Sequence, residues 1–308
     1  MSVLVCVAGD VMLDVLVSTQ APLTADDDTP ATITLSAGGQ AANVAAWVRV
    51  LGGGARLYGP RTSDAVGQVI DGQLTARGID LYGEPHDAHC GAVVSLVTSG
   101  TRTLASDPGD LAWIDDRLAD AAWLAGADWL HVSGYLLLRA PDPAVVIRAA
   151  QAARRGGARV AVDLASAAMI KSYGAPALWA FVEKLEPSVV FGNESEWDVV
   201  GVPPRSLPAV AVVKRGPLGS TFVVGGVQTS LEVVPGPVVD VTGAGDALAA
   251  GYFVGGPEMA IVAAARCISQ PGAQPDPHVA VPLDAGSSAI LANAHISPAP
   301  ESLRRGRR

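Results

Sequence analysis

Aromatic residues are scarce in this chain, 5 % of 308 residues. A core built without them must be filled by small aliphatic side chains, and Ala, Val, Leu and Gly dominate. Small side chains let helices approach a sheet closely, which suits a parallel sheet buried on both faces. Cysteine is nearly absent as well: the chain has Cys6, Cys90 and Cys267. An odd, widely spaced set offers no disulfide framework and fits a reducing cytoplasm. The stretch His86-Asp87-Ala88-His89-Cys90 lacks a second ligand cluster at a usable spacing, so it reads as a polar loop entering a strand rather than a zinc site. Positive charge is short too. The formal net charge of −9 argues against nucleic acid as the main partner. The one basic cluster, the terminal Arg-Arg-Gly-Arg-Arg, reads as a solvated tail. Lysine is the rarest base, so Lys214 beside a glycine turn draws attention. No apolar run reaches the roughly 20 residues of a membrane span. The N-terminus has no basic n-region and is interrupted by Asp10 and Asp14, so it is expected to form a buried first strand rather than a signal peptide.

What is present is a regular alternation. Short β-branched runs (VLVCVAG, ARLYG, DWLHVSG, ARVAVDL, SVVFG, AVAVVKRG) alternate with Ala-rich stretches at helical spacing. That rhythm predicts an α/β fold, a mostly parallel central sheet with helices on both faces, in a single domain over 1–308. Two segments, about 11–37 and 90–106, break the rhythm with paired strands and no helix between them. They predict a small β-sheet lid, which would exclude water from a reacting group; an immobile edge extension is the alternative. The Pro-rich stretch from Pro271 to His278 is expected to be a loop that lies on the surface or walls a nucleotide site.

Chemistry concentrates in two places. After a strand-like LEVVPGPVVD, the chain turns at Thr242-Gly243-Ala244-Gly245 and enters an apolar helix beginning with Asp246. A glycine turn at a helix start leaves backbone N–H groups pointing outward, and the helix dipole adds positive potential. A carboxylate there repels a bound phosphate, unless Asp246 accepts a proton from an attacking hydroxyl while the amides hold the group being transferred. An N-cap aspartate in a plain turn is the alternative. No P-loop is present, and Gly243-x-Gly245-x-x-Leu248 lacks the third glycine of a dinucleotide fingerprint. The second place is Gly38-Gly39, leading into a helix with Asn43 one turn in. Asn43 can donate to and accept from a diol.

Together these motifs resemble the ribokinase-like, phosphofructokinase-B type sugar kinases over nearly the whole chain. The late Asp-x-x-Gly-Ala-Gly-Asp matches Asp240 to Asp246, and the early Gly-Gly-x-x-x-Asn-x-Ala matches Gly38 to Ala45. The resemblance implies a ribokinase-like fold and transfer of the ATP γ-phosphate to a primary hydroxyl of a ribose-like sugar or other small carbohydrate. A nucleoside such as pseudouridine is the alternative acceptor, and a non-catalytic sugar- or nucleotide-binding protein is a further reading. It implies Asp246 as general base and Gly243, Ala244 and Gly245 as the anion hole. Asp10, Asp14, Gly38, Gly39 and Asn43 would bind substrate, and Asn193, Lys214, Gly216 and Gly219 would bind ATP. Arg102, on a Gly100-Thr101-Arg102 lid turn, would bind substrate or lie near phosphate, with a solvated hairpin tip as the alternative. Glu196 would hold Mg²⁺ through water, although Asn193 and Glu196 also fit a helix capping box. Val241 stands where many members carry Thr or Ser beside a monovalent-cation site, which argues against potassium activation. Asp163-Leu164-Ala165 stands where many have Asp-x-Asn, so a contact made by that Asn is missing. Little aromatic material lies near the lid in sequence, which favours a free sugar over a stacked base. A homodimer through the lid is common in the family.

Overall fold

The computed structural model describes residues 2–98, 101–110, 113–207 and 209–276, without the side chains of Thr101 and Arg102. Leu4–Ala8 (β1) is followed by Met12–Thr19 (β2), Ala31–Gly38 (β3) and helix Gln40–Val50 (α1). Gly54–Tyr58 (β4), Ala65–Ala76 (α2) and Asp80–Tyr82 (β5) come next, then the hairpin Ala92–Thr98 (β6) and Thr101–Asp107 (β7). Ala121–Leu124 (α3) leads into Trp129–Val132 (β8), Gly134–Arg139 (α4), Pro143–Arg155 (α5) and Arg159–Asp163 (β9). Ala167–Tyr173 (α6), Ala175–Leu185 (α7), Val189–Asn193 (β10) and Glu194–Val200 (α8) continue the alternation. Val210–Lys214 (β11), Ser220–Val224 (β12), Val227–Leu231 (β13) and Ala244–Ile268 (α9) follow.

The main sheet runs β13-β12-β11-β10-β9-β8-β1-β4-β5. From β11 to β5 its strands are parallel, and β12 and β13 add an antiparallel edge. Alternate residues of β1 serve opposite cores. Val5 and Val7 pack on the side of α1 and α9, while Cys6 and Ala8 pack with Trp123, Leu130 and the residues of α4 and α5. The order changes direction at β1, since the chain first builds outward to β5 and then returns to β8 on the other side. A crevice forms at the carboxyl ends of strands around such a reversal, the usual ligand position in open α/β sheets.

The expected lid is present as a separate four-stranded sheet, β3-β2-β6-β7. The two hairpins are antiparallel, as the sequence suggests. They are joined by a parallel pairing of β2 with β6, from Leu13↔Ala92 to Thr19↔Thr98. Register sets Asp14, Ser36, Val93 and Ser106 in one row, with Leu16, Thr34, Ser95 and Leu104 in the next. These eight residues line one cavity. The alternate positions face away, and Ile33 (63 %), Leu35 (51 %) and Val94 (39 %) are left exposed.

The strand expected across LEVVPGPVVD ends at Leu231, and residues 232–240 have no regular structure. Pro235 and Pro237 lack the N–H a ladder needs. The last helix also differs from a simple reading. Ala244–Ile268 has the length and apolarity of a membrane span, but only half of its apolar window is buried, and Gly256 (φ 79°, ψ −164°) followed by Pro257 breaks it into two halves. The halves fold back on one another: a Cβ on Gly251 would lie 2.4 Å from the Met259 carbonyl oxygen, and Cys267 Sγ donates to the Thr242 carbonyl at 3.2 Å. Each half is about 18 Å long, well short of the ~30 Å hydrocarbon core.

This close crossing can be tested. Gly251→Ala meets backbone on the facing half and should cost about 1–3 kcal/mol. Gly72→Ala, in exposed α2 with nothing within 4 Å of the added carbon, should instead stabilise by roughly 0.5–1 kcal/mol. Urea melts of the two variants should therefore move in opposite directions; equal shifts would disprove the tight hairpin.

Candidate active site

A cavity of about 710 Å³ lies between the lid and the carboxyl ends of β1 and β8 to β11. Each strand delivers a polar residue at its end. Asp10 follows β1, Ser133 follows β8, and Asp163, Asn193 and Lys214 close β9, β10 and β11.

The late motif forms as expected. Gly243 is the N-cap of α9 in the left-handed region (φ 76°), and a side chain there would strike Ala273, with its Cβ 2.7 Å away. The Ala244 N–H leans to the Val241 carbonyl at 3.3 Å, which leaves the N–H groups of Gly245 and Asp246 as the available donors at the helix tip. Upstream, the Asp240 carboxylate holds the turn: Oδ1 accepts from the Thr242 N–H (2.9 Å) and hydroxyl (2.5 Å), and Oδ2 accepts from the Gly272 N–H (3.0 Å). Residues 271–276 thus wall the cavity, while Pro277 and His278 lie outside the described residues.

The Asp246 carboxylate lines the cavity, and its Oδ2 accepts from Asn43 Nδ2 at 2.9 Å. The two motifs, 203 residues apart, therefore meet. Asn43 is buried, and its Oδ1 has no partner. Burial pushes the Asp246 carboxyl up to about 8; the Asn43 bond opposes this and the charge of Asp163 adds to it.

Lys214 sits at the centre of the site rather than at its edge. Its Nζ donates to both Asp163 oxygens, at 2.9 and 3.1 Å, and a Cβ built on Gly245 would lie 3.2 Å from it. Burial alone would lower the Lys214 pKa, but Asp163, Glu196 and Asp246 together raise it, so the ammonium stays charged. Asp163 was noted in the sequence only for the Asn missing two residues later. It is 1 % exposed and anchors the one lysine of the cavity. Ala165, in place of that Asn, adopts φ 68° and lines the cavity.

On the opposite side, Asp10 Oδ2 accepts from the Gln40 N–H at 3.0 Å, and the Ser133 hydroxyl lies 2.9 Å from Asp10 Oδ1 and 2.5 Å from Gln40 Oε1. Burial raises the Asp10 pKa. Gly38 is glycine because the Asp14 carboxylate occupies the place of its Cβ, at 2.2 Å. Gly39 takes φ 92° against the Asp10 carbonyl.

Asn193 and Glu196 line the cavity and form a complete capping box of α8. Glu196 Oε2 accepts from the Asn193 N–H at 2.8 Å and Oε1 from Asn193 Nδ2 at 2.7 Å. Glu196 is buried, and burial raises its pKa against the pull of Lys214. Among the described residues no cluster of three acidic, His or Cys side chains could cage a metal. Such a site suits Mg²⁺ carried in on phosphates with its waters, since Mg²⁺ dehydrates reluctantly. Gly216 and Gly219 are not among the cavity-lining residues. They shape the turn from β11 to β12, where a Cβ on Gly219 would lie 2.0 Å from the Leu231 carbonyl. Arg102 lies in β7 opposite Val97, with its side chain outside the description, as is Gly100.

Two residues escaped the sequence reading, Tyr135 and Arg139, one turn apart on α4. Both line the cavity beside Asp10, at a small recess formed with Pro60, Pro108 and Trp113. Aromatic material is therefore present at the Asp10 end of the cavity. It comes from outside the lid, while Tyr58 and Tyr82 pack around Trp123.

A carboxylate in the first turn of a helix, with a lysine beside that helix tip and a lid above, suits a phosphotransferase site. The chain belongs to the pfkB family of carbohydrate kinases, whose model matches residues 3–267. It is 28 % identical over 271 residues to a fructokinase of Salmonella typhimurium, covering 82 % of this chain and 84 % of that one. The adenosine kinase of Sinorhizobium meliloti superposes with a TM-score of 0.77 at 23 % identity, covering 96 % of this chain and all of that one. A putative ribokinase II of E. coli, solved with ATP and Mg²⁺, gives 0.73 at 19 % identity over 89 % and 94 %. These likenesses establish the ribokinase-like fold with its lid.

The raised Asp246 pKa has two consequences. An unfolded carboxyl ionises near 4, whereas the folded one holds its proton until about 8. The folded state therefore binds more protons between those values, and stability falls as pH rises through them. Asp246→Asn removes this loss, so its Tm should exceed that of the parent most clearly at pH 8–9, with the gap closing toward pH 4. Because only the ionised carboxylate can act as a base, kcat/KM should climb with pH through a midpoint near 8 and level off above about 9. A flat profile from pH 6 to 9 would contradict the assignment.

Proposed function

We propose that this protein transfers the γ-phosphate of ATP to a primary hydroxyl of a small sugar. The observation that carries this reading is the Asp246 carboxylate, partly buried, held by Asn43, and placed at the free amides of a helix tip. Asp246 takes the proton of the acceptor hydroxyl. The N–H groups of Gly245 and Asp246, with Gly243 giving the turn its shape, receive charge on the migrating phosphoryl group, and Lys214 lies on the same path. Such a site works by positioning and charge stabilisation more than by covalent chemistry. Mg²⁺, when bound with ATP, neutralises phosphate oxygens, and Glu196 would hold it through water. Asn193 would lie at the phosphates, and the nucleotide would extend toward the Gly216–Gly219 turn. For a monovalent cation at this loop, the Val241 side chain, 66 % exposed, supplies no ligand.

Asp10, Asp14 and Asn43 support a polyol at the substrate end, with Gly38 and Gly39 letting the backbone come close. A nucleoside acceptor is the second reading, favoured by Tyr135 and Trp113 at the recess. A non-catalytic binding role would not call for a carboxylate beside the anion hole. The exposed row of Ile33, Leu35 and Val94 supports pairing of two copies through their lids. The three free thiols, all buried, fit a cytoplasmic enzyme.

Asp246→Asn should leave ATP binding largely intact and cut kcat by roughly 10²–10⁴. Coupled ADP detection over a panel of sugars and nucleosides measures this. Near-normal turnover would reject the general base, and ADP release by no acceptor would reject the kinase reading.

A further inference from the structure

Three cationic side chains line the cavity. Lys214 is paired with Asp163, and Arg77 donates to the Pro275 carbonyl at 2.7 Å. Both lie on the phosphate side, one against the helix tip and the other against the 271–276 wall. Arg139 differs on both counts. It stands at the substrate end, next to Asp10 and the recess of Pro60, Pro108 and Trp113. Its guanidinium makes no hydrogen bond or ion pair among the described residues. It packs 5.3 Å from the centroid of the Tyr135 ring, which orients the plane without using its N–H donors, and the Tyr135 hydroxyl is unpartnered in the same way. A guanidinium presents several donors in a fixed fork, the geometry that matches a carboxylate or phosphate. In a chain of net charge −9, whose cavity is otherwise rich in carboxylates, an unspent cation is a specific feature.

We propose that Arg139, with the Tyr135 hydroxyl, is a specificity determinant that receives an anionic group of the substrate, so that the acceptor is a sugar acid or a sugar monophosphate rather than a neutral sugar. This deepens the kinase reading and rests on it. The hydroxyl that is phosphorylated lies at Asp246, and the anion lies at the far end, beyond Asp10. Asp10 stays bonded to Gln40 and Ser133, and the lid hydroxyls of Thr34, Ser36, Ser95 and Ser106 face the space between. The rival role for Arg139 is to offset the charge of Asp10 for any substrate.

The test uses matched pairs with a free primary hydroxyl: glucose against gluconate, and fructose against fructose 1-phosphate. Binding is read first, as the Tm shift with the nucleotide site saturated by Mg²⁺ and a non-hydrolysable ATP analogue, so that Lys214 is occupied. At least one anionic member should shift Tm more than its neutral partner, and Arg139→Gln should abolish that difference. Which pair responds distinguishes carboxylate from phosphate. In coupled ADP assays Arg139→Gln should raise KM for the anionic member about 10- to 100-fold, the range of a hydrogen bond to a charged group, with kcat little changed. Arg139→Lys should restore part of the loss. Equal Tm shifts from neutral and anionic members would overturn the proposal. So would an Arg139→Gln effect of the same size on both, which would assign Arg139 to Asp10. Turnover of neutral sugars without regard to Arg139 would remove this inference and leave the kinase reading standing.

Discussion

The placement of the Asp246 carboxyl, partly buried at the helix tip, is the constraint on which the rest of the molecule turns. Taking a carboxylate out of water is costly unless hydrogen bonds and opposite charge replace the solvent. Here the replacements come from separate parts of the chain: a hydrogen bond from Asn43 on α1 and the charge of Lys214 from β11. For Asn43 to reach, α1 must lie directly on α9. Both helices bury residues with almost no side chain, Ala41, Ala42 and Ala45 on one and Ala247, Ala249 and Ala250 on the other. The alanine-rich, aromatic-poor composition is thus tied to the chemistry through packing distance.

The charges around the site form two groups of different character. Around the helix tip the charge of Asp163 raises the proton affinities of Lys214, Glu196 and Asp246, and Lys214 lowers those of the two acids. Their arrangement leaves one cation facing the helix tip, and three carboxylates that call for further positive charge when a nucleotide arrives. On the substrate side Asp10 is bonded on both oxygens to the elements it joins, Gln40 at the start of α1 and Ser133 at the start of α4. It therefore works as a rivet between β1, α1 and α4 as much as a partner for hydroxyls.

The parallel alternation, the lid segments and the two glycine motifs were legible because each depends on local pattern: strand period, helix spacing and glycine before a helix. Asn43 was legible as a polar residue one turn into a helix. That it holds Asp246 was not, since nothing near Asn43 in sequence points 203 residues ahead. Lys214 was noticed for its rarity and its glycine neighbour, yet its partner Asp163 comes from a strand two places away in the sheet, and strand order is a tertiary property. Tyr135 and Arg139 sit on a helix of six residues, too short to show an amphipathic period. The fold-back at Gly256–Pro257 could have been read from that dipeptide, but the apolar residues on both sides mask it as one helix.

The parallel seam between β2 and β6 bears on how the cover over the cavity can move. Two separate hairpins could flap independently, one over each end of the substrate. Stitched along seven residue pairs, they form a single plate, attached to the body near Val11, Gly39, Gly91 and Pro108. Such a plate tilts as a whole or not at all, so shielding of the substrate carried by Asp14 on one hairpin is coupled to shielding by Ser95 and Ser106 on the other.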